Sequence, residues 1–144
     1  MLRVGHAFLA SKTLALCVAA LCAWRFDAYM PDVEVLMEAY PVRSRLDGAL
    51  RLLLAHTARW DGAYFLSIAL RSYTHEQHTA FFPLVPLLMR WIARAAEQVL
   101  GRWLSPPVLC LMAGVILSFL GHWVIVCNVQ RLTRLLTGDA RFAQ

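Results

Sequence analysis

Apolar residues run almost unbroken from Ala7 to Trp24 and again from Leu104 to Cys127. Between them the pattern changes to shorter, amphipathic repeats. Crossing a bilayer takes about 20 mostly apolar residues, so both stretches are predicted as transmembrane helices. The second, LSPPVLCLMAGVILSFLGHWVIVC, carries no formal charge. It opens on Pro106-Pro107, which a first helical turn tolerates because its N–H groups lack intrahelical partners anyway. His122 within it reads as a packed or interfacial histidine. The first stretch contains Lys12, which must snorkel or face other helices. A cleaved signal peptide competes for this segment, but Ser11 and Lys12 interrupt the apolar run early and bulky Trp24 follows Ala-Leu-Cys-Ala. A retained anchor fits better.

The middle of the chain predicts helices lying along a membrane. Leu46 to Ala58 places Leu46, Ala49, Leu50, Leu53 and Leu54 on one face. Pro86 to Leu100 sets Arg90, Arg94 and Glu97 at i, i+4 and i+7, a single polar stripe on an otherwise apolar helix. Such a stripe suits an interfacial helix, with a short third span as the alternative over 84–100. Gly101-Arg102 breaks the chain before the second span. The predicted fold is therefore an all-α membrane protein: a transmembrane helix at 7–24, a long loop with amphipathic juxtamembrane helices at 25–103, a second transmembrane helix at 104–127 and a tail at 128–144. Arg3 and Lys12 flank one end, and Arg131, Arg134 and Arg141 the other. By the positive-inside rule this makes the tail cytosolic and the loop luminal or exterior.

Composition supports the membrane class: 60% of the 144 residues are hydrophobic and only 16% charged, beyond a typical soluble domain. The net charge of +5 comes from 14 basic and 9 acidic residues, and every base but Lys12 is arginine. These arginines are scattered, without a basic stripe and interleaved aromatics, so they point to lipid surfaces and not to nucleic acid. Cys17, Cys22, Cys110 and Cys127 lie in apolar segments without a CxxC pair and read as small buried hydrophobes.

The loop's chemistry is concentrated in RWDGAYFLSIALRSYTHEQHTAFFPLVP, Arg59 to Pro86. Asp61 follows an aromatic, and Tyr73 and Glu76 come a helical stretch later. Aromatics beside carboxylates suit sugar binding, and a carboxylate at a membrane surface suits a general base, because desolvation disfavours its charged form. A plainer reading makes Asp61 the first-turn acid of a helix over Gly62 to Leu70. His75-Glu76-Gln77-His78 is one residue short of the HExxH zinc spacing, so a polar turn is expected there and no metal. Asp32 and Glu34 form a weak DxD-like pair that reads better as solvated helix-start acids. Asp27, at the edge of the first span, is costlier to leave unpaired. No phosphate-cradling glycine loop or catalytic Ser-His-Asp order is present.

The Trp60-Asp61 pair, YFLSIA, Tyr73, Glu76 and AFFPLVP together resemble the signature of the PIG-V family of GPI mannosyltransferases, within the polytopic GT-C glycosyltransferases. Phe26-Asp27, Pro31-Asp32 and the tail RLTRLLTGDARFAQ agree more loosely. The resemblance implies an inverting transferase of the endoplasmic reticulum membrane with its site on the luminal face and no cofactor. It would move mannose from dolichyl-phosphate mannose to the first mannose of a glucosaminyl-phosphatidylinositol lipid, forming an α-1,6 bond. It further implies Asp61 as the base and Trp60 as a sugar or lipid platform. Arg59 would be a partner for the donor phosphate, Tyr73 and Glu76 supporting groups, and Asp27 an alternative acid. A small membrane accessory subunit is a further possible partner.

Two departures stand out. Ser72 occupies the place before the tyrosine where the family pattern has glycine. The chain also has two spans where such enzymes have many, so an incomplete chain is expected, unable to hold the donor alone. The rival readings are a non-catalytic two-span subunit or regulator and a related GT-C enzyme with another lipid-linked acceptor.

Overall fold

The computed structural model describes residues 2–25, 31–59 and 61–137, so Asp27 and Trp60 lie outside the described residues. Those described are helical throughout, with connecting turns and no strand. The elements are α1 (Leu2–Arg25), α2 (Pro31–Glu38), α3 (Arg45–Leu54) with a 3₁₀ turn at Ala55–Ala58, α4 (Asp61–Arg71), a 3₁₀ turn at Glu76–Ala80, α5 (Leu84–Leu100) and α6 (Pro106–Thr137).

Among the described residues, α6 is the one helix long and apolar enough to cross a membrane; the apolar part of α1, Gly5–Ala19, is shorter. At 1.5 Å per residue the 32 residues of α6 extend about 48 Å, more than a hydrocarbon core requires. The helix passes Cys127 into the predicted tail because no glycine or proline interrupts the sequence before Gly138.

α5 and α6 form an antiparallel pair joined by the turn 101–105, and α4 wedges against both. Small residues set their approach: Ala93 and Ala113 are buried, and a Cβ on Gly114 would sit 3.2 Å from Met89 Cε. Leu66 of α4 and Val108 of α6 are fully buried in this core. α1 reaches the rest through Phe8, whose ring meets Trp123 of α6 edge-on at 5.5 Å. Lys12 lies 5.8 Å from the centroid of the Phe8 ring, which gives the predicted intramembrane cation a partner within its own helix.

The structure adds detail to the predicted helices. The apolar face of α3 is divided: Leu46, Ala49 and Leu53 are exposed, while Leu50 and Leu54 turn inward together with Asp47 and Arg51. Asp47 is 0% exposed. Its Oδ1 accepts 2.8 Å hydrogen bonds from both the backbone N–H and the hydroxyl of Ser105, at the start of α6. Its Oδ2 accepts from the Arg43 N–H at 3.1 Å and lies 3.4 Å from Arg51 Nε. A carboxylate at a helix N-terminus satisfies donors that the helix leaves open and faces the positive end of its dipole. Arg51 also donates to the carbonyls of Met37 and Pro41 and to Ser105 Oγ, tying α2, α3 and α6 together. The pair is inside because those polar backbone groups are inside.

The expected polar stripe of α5 is likewise divided. Arg94 is exposed, but half-buried Arg90 donates through Nε to the Ala69 carbonyl at 2.7 Å and through Nη2 to that of Ile68, capping the C-terminal end of α4. Glu97 pairs with Arg43 at 3.4 Å, and Arg43 also bonds the Gly101 carbonyl. Of the cysteines only Cys110 is buried; Cys17 and Cys22 are exposed because the faces of α1 that carry them are left uncovered. His122, exposed, hydrogen-bonds the Ser118 carbonyl through Nδ1 at 2.9 Å.

Candidate active site

Asp61 begins α4 as its first-turn acid, one residue ahead of the predicted start. Its side chain is exposed, and its carboxylate has no hydrogen bond or ion pair among the described residues. Negative charge at a helix N-terminus is favoured by the helix dipole even without a direct hydrogen bond. Gly62 explains the rest of the local geometry. A Cβ there would lie 2.7 Å from the Thr57 carbonyl oxygen, so only glycine lets α4 start against the preceding 3₁₀ turn. The Gly62 N–H donates to the Arg59 carbonyl at 3.0 Å, and the Thr57 hydroxyl to that of Leu54 at 2.6 Å. Gly62→Ala is therefore expected to cost about 1–3 kcal/mol through overpacking against backbone. It should also shift the start of α4 and with it the position of Asp61. Thermal unfolding of the variant checks this.

Arg59, two residues before Asp61, is half-buried, and its Nε is shielded from solvent without a hydrogen-bond partner among the described residues. His56, in the same turn, has both ring nitrogens shielded from solvent. Burial, reinforced by the charge of Arg59, holds its pKa below the ordinary 6.5, so it is neutral at neutral pH.

Tyr73 and Glu76 are not beside Asp61. They follow the other end of α4, about 15 Å along its axis. The Tyr73 hydroxyl donates to the Phe81 carbonyl at 2.8 Å, closing the loop between them. Phe81 stacks on Tyr64, one turn into α4 from Asp61, with centroids 4.9 Å apart. Glu76 is exposed on this loop. His78 departs from the expected water-facing turn: it is buried, receives the Thr74 N–H on Nδ1 at 3.4 Å and meets Tyr64 edge-on. No group of three or more His, Cys, Asp or Glu side chains converges as a metal site among the described residues.

Ser72 resolves the departure from the family pattern. Its φ of 69° is left-handed, the conformation a glycine would adopt at the helix end, and its N–H donates to the Ile68 carbonyl at 2.9 Å. Serine bears the cost of this conformation. Ser72→Gly is expected to raise stability by about 1 kcal/mol, read as a higher unfolding temperature at unchanged abundance.

An apolar groove of about 390 Å³ opens next to Gly62, between Leu16 of α1, Phe65, Met89 and the Gly114–Ser118 stretch of α6. The sequence pattern had signalled the acid and the aromatics. Gly62 and Arg90 were missed, although a glycine directly after a helix-start acid is a detectable sign of close approach.

Residues 6–143 match the family described as Mannosyltransferase (PIG-V). The chain is 32% identical over 141 residues to GPI mannosyltransferase 2 of Drosophila melanogaster, covering 95% of this chain and 30% of that protein. It is 32% identical over 144 residues to GPI mannosyltransferase 2 of Drosophila pseudoobscura pseudoobscura, covering 96% and 32% respectively. The chain thus spans about a third of the length of the curated relatives it matches. No solved structure matches it.

Proposed function

The chain belongs to the PIG-V mannosyltransferase family, and from that premise we propose that it forms the first two spans and the catalytic loop of an endoplasmic reticulum transferase. In this reading α1 and α6 are the two spans, and the loop over 25–103 is luminal. The donor is dolichyl-phosphate mannose and the acceptor a mannosyl-glucosaminyl-phosphatidylinositol lipid. The observation that carries the reading is the family match over nearly the whole chain, joined to an unpartnered carboxylate at a rigid helix start.

The chemistry follows from the bonds exchanged. The acceptor's 6-hydroxyl attacks the anomeric carbon of mannose from the face opposite the phosphate, and its proton passes to the Asp61 carboxylate. The carbon–oxygen bond to phosphate breaks, and its electron pair leaves with dolichyl phosphate. The β-linked donor becomes an α-linked product. Arg59, its Nε unsatisfied, balances the phosphate charge. Trp60 supplies a platform for a sugar ring, Tyr73 and Glu76 hold the loop, and Asp27 is the second acid near the bilayer. The apolar groove beside Gly62 brings lipid chains within reach of Asp61. Exposed Leu84, Leu87, Trp91 and Val99 of α5 face the membrane surface.

Cells lacking the second mannosylation step test this reading. Expression of the transferase from its native transcript should restore GPI-anchored proteins at the surface and clear the one-mannose lipid. Persistence of that lipid, with the protein present in the membrane, would favour a non-catalytic subunit or another lipid-linked acceptor.

A further inference from the structure

The geometry points to a subsite for the acceptor's phosphodiester at the Arg71 end of a pocket that runs along α4 from Ala63, with Arg71 at the end of the helix away from Asp61. The inference rests on the acceptor proposed above. The pocket has a volume of about 330 Å³ between α2, α4 and the Glu76–Ala80 turn. Tyr64, Ser67 and Arg71 enter it from one face of α4 at i, i+3 and i+7, while His75, Gln77 and His78 enter from the loop. Every one of these side chains can donate a hydrogen bond, and no carboxylate lines the pocket. Arg71 has neither an ion pair nor a hydrogen bond among the described residues, so its fork of donors is free for an anion.

The loop wall is fixed in advance. His78 is 4% exposed and held by the Thr74 N–H, its ring lies 5.1 Å from that of His75, and the Tyr73–Phe81 bond closes the loop behind them. Such preorganisation lowers the entropy lost when a ligand is bound.

Position decides which phosphate the pocket serves. Arg71 follows Asp61 by ten residues, about 15 Å along α4. The donor's phosphate is bonded to the reacting carbon and must lie beside the base, too near for Arg71. In the acceptor, a mannose, a glucosamine and an inositol separate the reacting hydroxyl from the phosphate. Three linked rings laid along α4 carry that phosphate towards Arg71.

The test uses the transferase expressed from its native transcript and two acceptors, the mannosyl-glucosaminyl-phosphatidylinositol lipid and a lipid-anchored analogue without the phosphate. Wild-type enzyme should show at least about tenfold higher KM for the phosphate-free acceptor, roughly the loss of one charge-assisted contact. Arg71→Gln should raise KM for the natural acceptor to a similar extent, leave donor KM and kcat unchanged, and no longer distinguish the two acceptors. His75→Gln should show part of the same effect. A rise in donor KM instead would reassign the pocket to the donor. Equal KM values for the two acceptors with wild-type enzyme would overturn the proposal without any variant. No transfer by wild-type enzyme to the natural acceptor would sink the functional reading itself. Normal turnover with an unaffected Arg71→Gln sinks only the subsite.

Discussion

Asp61→Asn, placed in the transferase expressed from its native transcript, is expected to cut mannose transfer by about 100- to 10,000-fold at unchanged abundance, the range set by removing a general base. The substitution preserves the size and shape of the side chain but removes its ability to take the acceptor proton. Its structural cost should be small, because the carboxylate is exposed and unpartnered among the described residues. Asp61→Glu keeps the base but moves it by a methylene on a helix start fixed by the Gly62–Thr57 contact, and should retain a small fraction of the activity. Measuring kcat together with protein level separates chemistry from folding. Normal kcat in Asp61→Asn would move the base elsewhere, with Asp27 the next acid to test.

The second large effect concerns folding. Asp47→Ala should destabilise the chain by about 3–5 kcal/mol, the cost of breaking a buried ion pair and stranding its partner. It would leave Arg51 without its anion and the Ser105 N–H and hydroxyl without an acceptor. Because a domain's total stability is only about 5–15 kcal/mol, abundance should fall several-fold. Ser105→Ala removes one of Asp47's bonds and should cost less, about 1 kcal/mol. Thermal unfolding of the detergent-solubilised enzyme ranks the two, and a small effect for Asp47→Ala would mean that the hub does not organise the fold.

The pH dependence follows from the same group. Burial alone would raise the Asp47 pKa, but hydrogen bonds from Ser105 and Arg43 and the charge of Arg51 together hold it below the ordinary 3.8. A depressed carboxylate contributes its full stabilisation above its unfolded value, and loses it as pH falls through the lower folded value. The hub is thus intact at neutral pH and fails only in strong acid.

The helices could be read from the sequence because periodicity and apolar length are local. Thus α6 begins within two residues of the predicted span, and α4 begins at the acid that marked it. Orientation was less legible. The inward turn of α3 depends on Ser105, 58 residues from Asp47, and no periodicity within Leu46 to Ala58 reveals that a distant helix start needs a carboxylate. Arg90 was placed on a polar stripe for the same reason: its partners are carbonyls at the end of another helix. At the candidate site, Arg59 and Asp61 are two residues apart in sequence, so their nearness along the chain was legible. Tyr73 and Glu76, expected a helical stretch after Asp61, follow the other end of α4. The left-handed backbone of Ser72 was not legible, because serine carries no signal for a conformation that favours glycine.

The most direct test of the account is the product of the purified native-transcript enzyme, given labelled dolichyl-phosphate mannose and the one-mannose glycolipid. The account predicts a two-mannose lipid whose new residue is released by an α-1,6-specific mannosidase and which Asp61→Asn fails to form. A stable, correctly inserted protein that forms no such product, or forms one with another linkage, would contradict it.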